Sequence, residues 1–265
     1  MISWLFISDF CLNFGAAKLP VYPFPFMALA HFLSTFRRFS APNKQLALLF
    51  GLILSAKSGK AQAVFSAKKE IPIFTAGLIW GAGNLWQEQK IDVQQYRRWA
   101  IRGVDKPAPL KLNKNLSSSA DITALLTGAA GLIWVQSRPK NTRIVDLSVL
   151  GQNALITWNI TQTSKMAFRR LRPYASAPGF VVSKKDDAYS FISGHSSMVA
   201  TTATGMWLMS RNGTSKERLL CTGAVSLALG TACLRVAGGK HFTTDVLAGL
   251  LIGTGVAYVN HLVHR

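Results

Sequence analysis

Apolar residues recur along this chain in blocks at about 71–86, 122–136, 147–160, 197–209, 219–237 and 246–262, each closed by charged or turn-forming residues. None alternates apolar and polar positions with the period of two that a half-buried strand needs, so the pattern predicts helices throughout. Gly, Ala and Thr are frequent inside the blocks, as in Gly128-Ala-Ala-Gly131 and Thr201-Thr-Ala-Thr204, and small residues let helix backbones approach closely. Most blocks are shorter than the ~20 apolar residues of a comfortable bilayer crossing, and the last two come near that length. The expected fold class is all-α: a membrane-embedded bundle of about six core helices, its shorter members being either short tilted spans or buried helices of a soluble bundle.

Ahead of these blocks, Arg37, Arg38 and Lys44 precede the short apolar run Leu46–Ser55, and Ala61-Gln62-Ala63 follows it. That order reads as a secretory signal with a small-x-small cleavage site, with Met27 as a candidate start; an uncleaved anchor is the alternative. The expected division is a leader over 1–63, a first helix and basic linker over 64–120, and a catalytic core over 121–265. The linker, with Lys90, Arg97, Arg98, Arg102, Lys106, Lys111 and Lys114 around Tyr96 and Trp99, is either an amphipathic segment on an anionic membrane surface or a solvated connection. The connections 138–143 and 211–218 are basic, and the positive-inside rule sends both to the cytoplasm. The polar clusters described below then face the periplasm from a bacterial inner membrane. A cleaved signal conflicts with this orientation, because it starts the first span outside.

Composition narrows the partners. Charged residues are only 15% of the 265, lean against the roughly 25% of soluble proteins, yet the net charge is +19. Such a balance fits an anionic membrane surface or an anionic substrate. The cations are scattered between apolar blocks, with no zinc-finger spacing or RNP-like aromatic pattern, which argues against nucleic acid. Cys221 and Cys233 are 12 residues apart in one apolar block, ~18 Å along a helix, too far for a disulfide. With Cys11 far away, a disulfide framework and a cysteine metal site are both disfavoured.

The chemistry concentrates in three clusters. Of five histidines, His31 lies in the leader and His261 and His264 in the last five residues, which leaves His195 and His241. Lys165-x6-Arg172-Pro173 places Lys165, Arg169 and Arg172 on one helical face, ended by the proline. Ser193-Gly194-His195 precedes a helical run whose first N–H groups suit an anion. Arg235-x5-His241-x3-Asp245 puts a histidine and a carboxylate four apart on a helix, so the carboxylate can hold one ring nitrogen while the other attacks phosphorus. Each cluster also has a plainer reading: a solvated basic helix end, a capping serine with a half-buried histidine, a surface pair. Lys184, Lys185, Asp186 and Asp187 either shape substrate access or form a solvated loop.

Taken in order, the three motifs resemble the type 2 phosphatidic acid phosphatase superfamily, which also holds bacterial acid phosphatases and vanadium haloperoxidases. The resemblance covers about residues 121–262. It implies that Lys165, Arg172, Ser193, Gly194 and Arg235 bind phosphate, that His195 is the general acid, and that His241, oriented by Asp245, is the nucleophile. It implies neither metal nor other cofactor, and as substrate a lipid phosphate or other phosphate ester, with the oligomeric state left open. A soluble periplasmic acid phosphatase, a vanadate haloperoxidase and a non-catalytic membrane protein are the other readings. Ile192 stands where the family has proline, and Leu234 where it has serine.

Overall fold

A computed structural model describes residues 65–210 and 213–264 of the chain. The leader over 1–63 and the Met27 start lie outside the described residues. Six α-helices follow one another: α1 Ala67–Gln89, α2 Lys114–Ser137, α3 Arg143–Phe168, α4 Gly194–Met209, α5 Ser215–Ala237 and α6 Thr243–Val263. Among the described residues the remaining regular structure is three short 3-10 turns and one isolated bridge between Arg97 and Arg170. Every apolar block became a helix, and each helix is longer than its block by a few mostly polar residues at one or both ends. Asn113 caps α2 by accepting from the Leu116 N–H, and Thr214 with Glu217 forms a capping box on α5. The expected start of the core at 121 falls inside α2.

The burial pattern is reversed relative to a soluble bundle. Leu78, Ile79, Leu125, Leu132, Ile133 and Leu219 are exposed, while Gln152, Asn153, Thr157, Asn159, Thr201 and Thr254 are buried. Water penalises such a surface and hydrocarbon accepts it; inside, Asn153 pairs with Asn260, Asn159 with Asn84 and Thr254 with Thr204. Three helices, α2, α5 and α6, are long and apolar enough to cross a membrane. The short α4 is the hub, packing against α2, α3, α5 and α6, whereas α1 rests mainly on α3. The α4–α6 seam is tight because α6 presents glycines: a Cβ on Gly249 would lie 2.7 Å from the Ser193 carbonyl oxygen, and one on Gly253 2.1 Å from that of Ser197. Close approach of these two helices brings the start of α6 beside the start of α4.

Successive helices run in opposite directions, so the bundle has two distinct ends. At one end lie the segments 90–113, 169–193 and 238–242. At the other, Arg138 pairs with Asp146 and Glu217, and Glu70 meets His264. The linker 90–113 is more than a solvated connection. It is pinned across the first end: Arg97 exchanges backbone hydrogen bonds with Arg169 and Leu171, Asp105 is buried, and Trp99 packs on Phe168 and Phe191. Its cations Arg97, Arg98, Arg102, Lys106 and Lys111 stay exposed at that end. They offset the basic connections at the other end, and with them the charge asymmetry read from those connections.

Candidate active site

Three chain segments converge at the first end, and each arrives by a local break in helix. α3 stops at Arg169, which takes a left-handed conformation at φ 45°. Lys165 therefore sits in the last turn of α3, while Arg172 comes from the extended chain beyond it. The expectation that Lys165, Arg169 and Arg172 share a helical face is thus corrected. Arg169 turns away and donates to Gln95 Oε1 at 2.6 Å and the Met166 carbonyl at 2.9 Å. Arg172 still reaches the site because the loop folds back: its Nε donates to the Asp186 carbonyl at 2.7 Å and its Nη1 to the Lys240 carbonyl at 3.0 Å.

His241 is almost wholly buried, at 1% exposure, in the turn before α6. The Gly238-Gly239 turn makes that position reachable: Gly239 has φ +72°, and a Cβ there would lie 2.4 Å from the Lys111 carbonyl. The ring's Nδ1 lies 2.8 Å from the Ser190 carbonyl oxygen, which can only accept, so Nδ1 carries the hydrogen. Nε2 faces donors, Arg172 Nη1 at 3.1 Å and Arg235 Nη2 at 3.4 Å, so it offers a lone pair. This assigns the neutral tautomer from the hydrogen bonds. Burial first, then the charges of Arg172, Arg235 and Lys165, hold the imidazole well below its ordinary pKa.

The partnership with Asp245 differs from the expected one. His241 precedes α6 instead of lying on it, and Asp245 Oδ2 stays 3.7 Å from Nδ1. Asp245 accepts from the Phe242 N–H at 2.8 Å, from the Ser190 hydroxyl, and from Arg170 Nη1 at 2.6 Å. It therefore fixes the two segments that carry His241 and its carbonyl partner, and puts negative charge behind the ring. Arg170, given no role by the sequence, is central to this arrangement. Its guanidinium joins Asp245 to Asp105 at 2.8 Å and lies 4.1 Å from the centre of the Phe242 ring. Asp105 also accepts from the Thr244 N–H at 2.9 Å. Spacing gave no sign of Asp105, which lies far back in the linker; Arg170 was visible only as one of three arginines around residue 170.

His195, in the first turn of α4, directs Nε2 to Asp121 Oδ1 at 2.9 Å. The same oxygen accepts from Arg235 Nη1 at 2.9 Å. Gly194 opens α4 beside Lys165: a Cβ on Gly194 would lie 3.4 Å from the Lys165 ammonium. Ser193 is near but turned inward, with its hydroxyl 3.0 Å from that of Ser196 and its N–H donating to the Asp245 carbonyl. Ile192 is buried and Leu234 gives its carbonyl to the Gly238 N–H. Lys240, its pKa lowered by burial and by Arg172, faces Asp186 at 3.6 Å. Burial pushes the Asp186 carboxyl up, but Arg172 and Lys240 outweigh it and hold the group below its usual range. Among the described residues no three His, Cys, Asp or Glu side chains gather as a metal site requires. A cavity of about 320 Å³ opens beside Lys165, Gly194 and His195 and follows α2, α3 and α4 inward, past Ala124, Gly128, Trp158 and Met198.

A pair of guanidiniums on a neutral, buried imidazole, with a second histidine on the far side of one of them, is an arrangement for binding a phosphoryl group and attacking it. The sequence model of the PAP2 superfamily matches residues 146–265, a segment that holds all three motifs, so the resemblance read from those motifs stands for this part of the chain. An undecaprenyl-diphosphatase of Sulfolobus acidocaldarius is 28% identical over 122 residues, which are 46% of this chain and 56% of that protein. The chain thus spans about half the length of that curated relative. The transmembrane PAP2 type phosphatidylglycerolphosphate phosphatase of Bacillus subtilis, seen in a crystal structure, aligns with 22% identity and a TM-score of 0.42, over 74% of this chain and 95% of that one.

Proposed function

We propose that this chain is a membrane-embedded phosphatase that hydrolyses a lipid phosphate ester or diphosphate through a phosphohistidine on His241. The observation that carries the reading is the Nε2 lone pair of His241 held between Arg172 and Arg235; a largely apolar cavity opens beside Lys165 and His195 of the same site. In this reading Arg172, Arg235, Lys165 and the N–H groups opening α4 bind the non-bridging phosphoryl oxygens. Nε2 attacks phosphorus, the bond from phosphorus to the leaving oxygen breaks, and His195 gives that oxygen a proton. His195 then takes a proton from water as the water oxygen attacks phosphorus, the N–P bond breaks, and inorganic phosphate leaves. Asp245, through Ser190 and the start of α6, keeps the ring in place and offsets its positive charge after attack.

The lipid part of the reading rests on the exposed apolar faces and on the cavity. Its lining along α4 runs from His195 to Thr202, so it reaches about 10 Å inward from the site. The relative named as an undecaprenyl-diphosphatase points to a diphosphate on a long apolar chain. The test is phosphate release by the purified chain, with chelator present, from a panel of lipid and soluble phosphates alongside His241→Ala. Release from lipids that the substitution removes supports the proposal; equal release by both proteins overturns it. Preference for soluble esters moves the chain to the acid-phosphatase reading.

We propose the periplasmic face for the site, the side that the positive-inside rule gives it from the connections 138–143 and 211–218 alone; the exposed linker cations at the site end oppose that count, so a direct measurement is needed. The start of α1 is then inside, which keeps the leader attached. Lys106→Cys in sealed cells tests this, measured against the unsubstituted chain: labelling by an impermeant thiol reagent supports a site outside, and no labelling places it inside.

A further inference from the structure

Four aspartates touch the cations of this site, and they fall into two kinds. Asp105 and Asp245 are buried and each also accepts a backbone N–H, so they are fixed behind the site. Asp121 and Asp186 are 54% and 48% exposed at the side chain and sit in front of it, each on one of the two arginines that face His241. Asp186 is tied to Arg172 by its backbone as well, since Arg172 Nε donates to its carbonyl. Asp121 has no such second tie to Arg235. It reaches from the second turn of α2 and puts a single oxygen, Oδ1, at 2.9 Å from both Arg235 Nη1 and His195 Nε2.

That oxygen stands where the assigned roles of Arg235 and His195 require a substrate oxygen. Arg235 cannot turn another group outward in its place. Its Nη2 faces His241, and its Nε is buried without a partner. Nη1 is the donor at the open side, and Asp121 holds it.

We propose that Asp121 is a resident counter-ion of the phosphate site: its carboxylate occupies the donors of Arg235 and His195 when the site is empty, a phosphoryl group displaces it on binding, and its return helps expel inorganic phosphate. This rests on the phosphatase reading above. The carboxylate balances charge that a buried set of cations otherwise leaves unmatched, and it keeps His195 and Arg235 aimed at one point. It also competes with every anion the site takes up, product included. Asp121 acts through His195 and Arg235 and makes no bond to phosphorus, so it is a positioning residue.

The test is equilibrium binding of inorganic phosphate to the full chain in detergent, with product inhibition measured in parallel, for the unsubstituted protein, Asp121→Asn and Asp121→Glu. Asparagine keeps the shape and removes the charge. It is expected to tighten phosphate binding about tenfold and lower the product-inhibition constant by the same factor, the order expected of one solvent-screened like-charge contact. Asp121→Glu, which keeps the charge, is expected to bind phosphate as the unsubstituted protein does. A damaged fold weakens binding, so tightening cannot come from misfolding; thermal melting of each variant checks the fold directly. Unchanged or weaker phosphate binding by a folded Asp121→Asn overturns the counter-ion role while leaving the phosphatase reading intact. If none of the three proteins binds phosphate or releases it from lipid, the phosphatase reading falls and the counter-ion role falls with it.

Discussion

The two ends of this bundle each bury a histidine near a carboxylate, and they do opposite things with it. At the far end, His264 Nε2 lies 3.1 Å from both oxygens of Glu70, and Nδ1 lies 2.8 Å from the Asn260 carbonyl. Both nitrogens lie against carbonyl or carboxylate oxygens, and the ring fastens the end of α6 to α1. Gln152 adds a donor to the same Glu70 carboxylate. At the site end, His241 has one acceptor, Ser190, and two guanidinium groups on the other nitrogen. A histidine beside a carboxylate is therefore no signature of catalysis in itself. Cations around the second nitrogen make the difference: together with burial, the larger cause, they keep the ring neutral, and they mark the place of an anion.

Removing the two rings in turn is the strongest way to break this contrast. His241→Ala is expected to lower phosphate release by about 10⁴-fold or more, since the nucleophile is gone. His264→Ala, far from the site, is expected to keep kcat/KM within about twofold while lowering the melting temperature. Steady-state release and thermal melts of both variants in one detergent decide it. Comparable loss of activity in both would mean that the far pair couples to the chemistry.

The contrast also explains what the sequence disclosed. Six helices followed from the apolar blocks because each block is bounded by caps and turns such as Asn113, Thr214 and Gly238. Spacing brought out Lys165, Arg172, His195, Arg235 and His241, and the fold gathers all of them. Helical periodicity gave two wrong reasons for residues that the fold does gather. Arg172 comes from a loop after the left-handed Arg169, and His241 from the turn before α6, so neither shares the helix face assumed for it. Two of the supporting carboxylates, unlike Asp245, were not legible. Asp105 and Asp121 come from the linker and from α2, well before the first motif, and only tertiary packing sets them on Arg170 and Arg235. The linker's basic composition suggested a surface segment and concealed its one buried aspartate.

Arg170 is the next point of leverage. Arg170→Met fills much of the same space but leaves Asp105 and Asp245 buried without their shared cation. Breaking a buried pair in this way costs about 3–5 kcal/mol of stability, and the loosened start of α6 is expected to cost about 100-fold in kcat. A melt and an activity assay read the two effects separately. Full activity in the variant would show that Asp245 holds its place without Arg170. The matching change at the far end, Glu70→Gln, replaces the acceptor of His264 and is expected to cost about 1–3 kcal/mol with kcat/KM unchanged. A drop in activity with Glu70→Gln would erase the division of labour between the ends.

Protonation offers the finest test of the site end. An imidazole with its ordinary pKa of about 6.5 would be half lost as a nucleophile at that pH. Burial, Arg172 and Arg235 lower the His241 pKa, so the neutral ring persists as pH falls through 6.5 and is protonated only further down. In kcat/KM, which reports the free enzyme, the acid limb assigned to His241 is expected well below 6.5. Lipid phosphates titrate near pH 6 themselves, so two substrates with different phosphate pKa values are needed, and the limb common to both belongs to the protein. Stability must move in the same sense. Between the folded and the unfolded pKa the unfolded chain binds the proton and the folded one does not. The fold therefore weakens as pH falls below about 6.5, with a slope of up to about 1.4 kcal/mol per pH unit from this one group. His241→Ala removes that contribution. An acid limb at 6.5, or a stability slope that survives the substitution unchanged, would mean that the guanidinium groups do not hold this ring neutral, and the contrast with the far pair would lose its electrostatic basis.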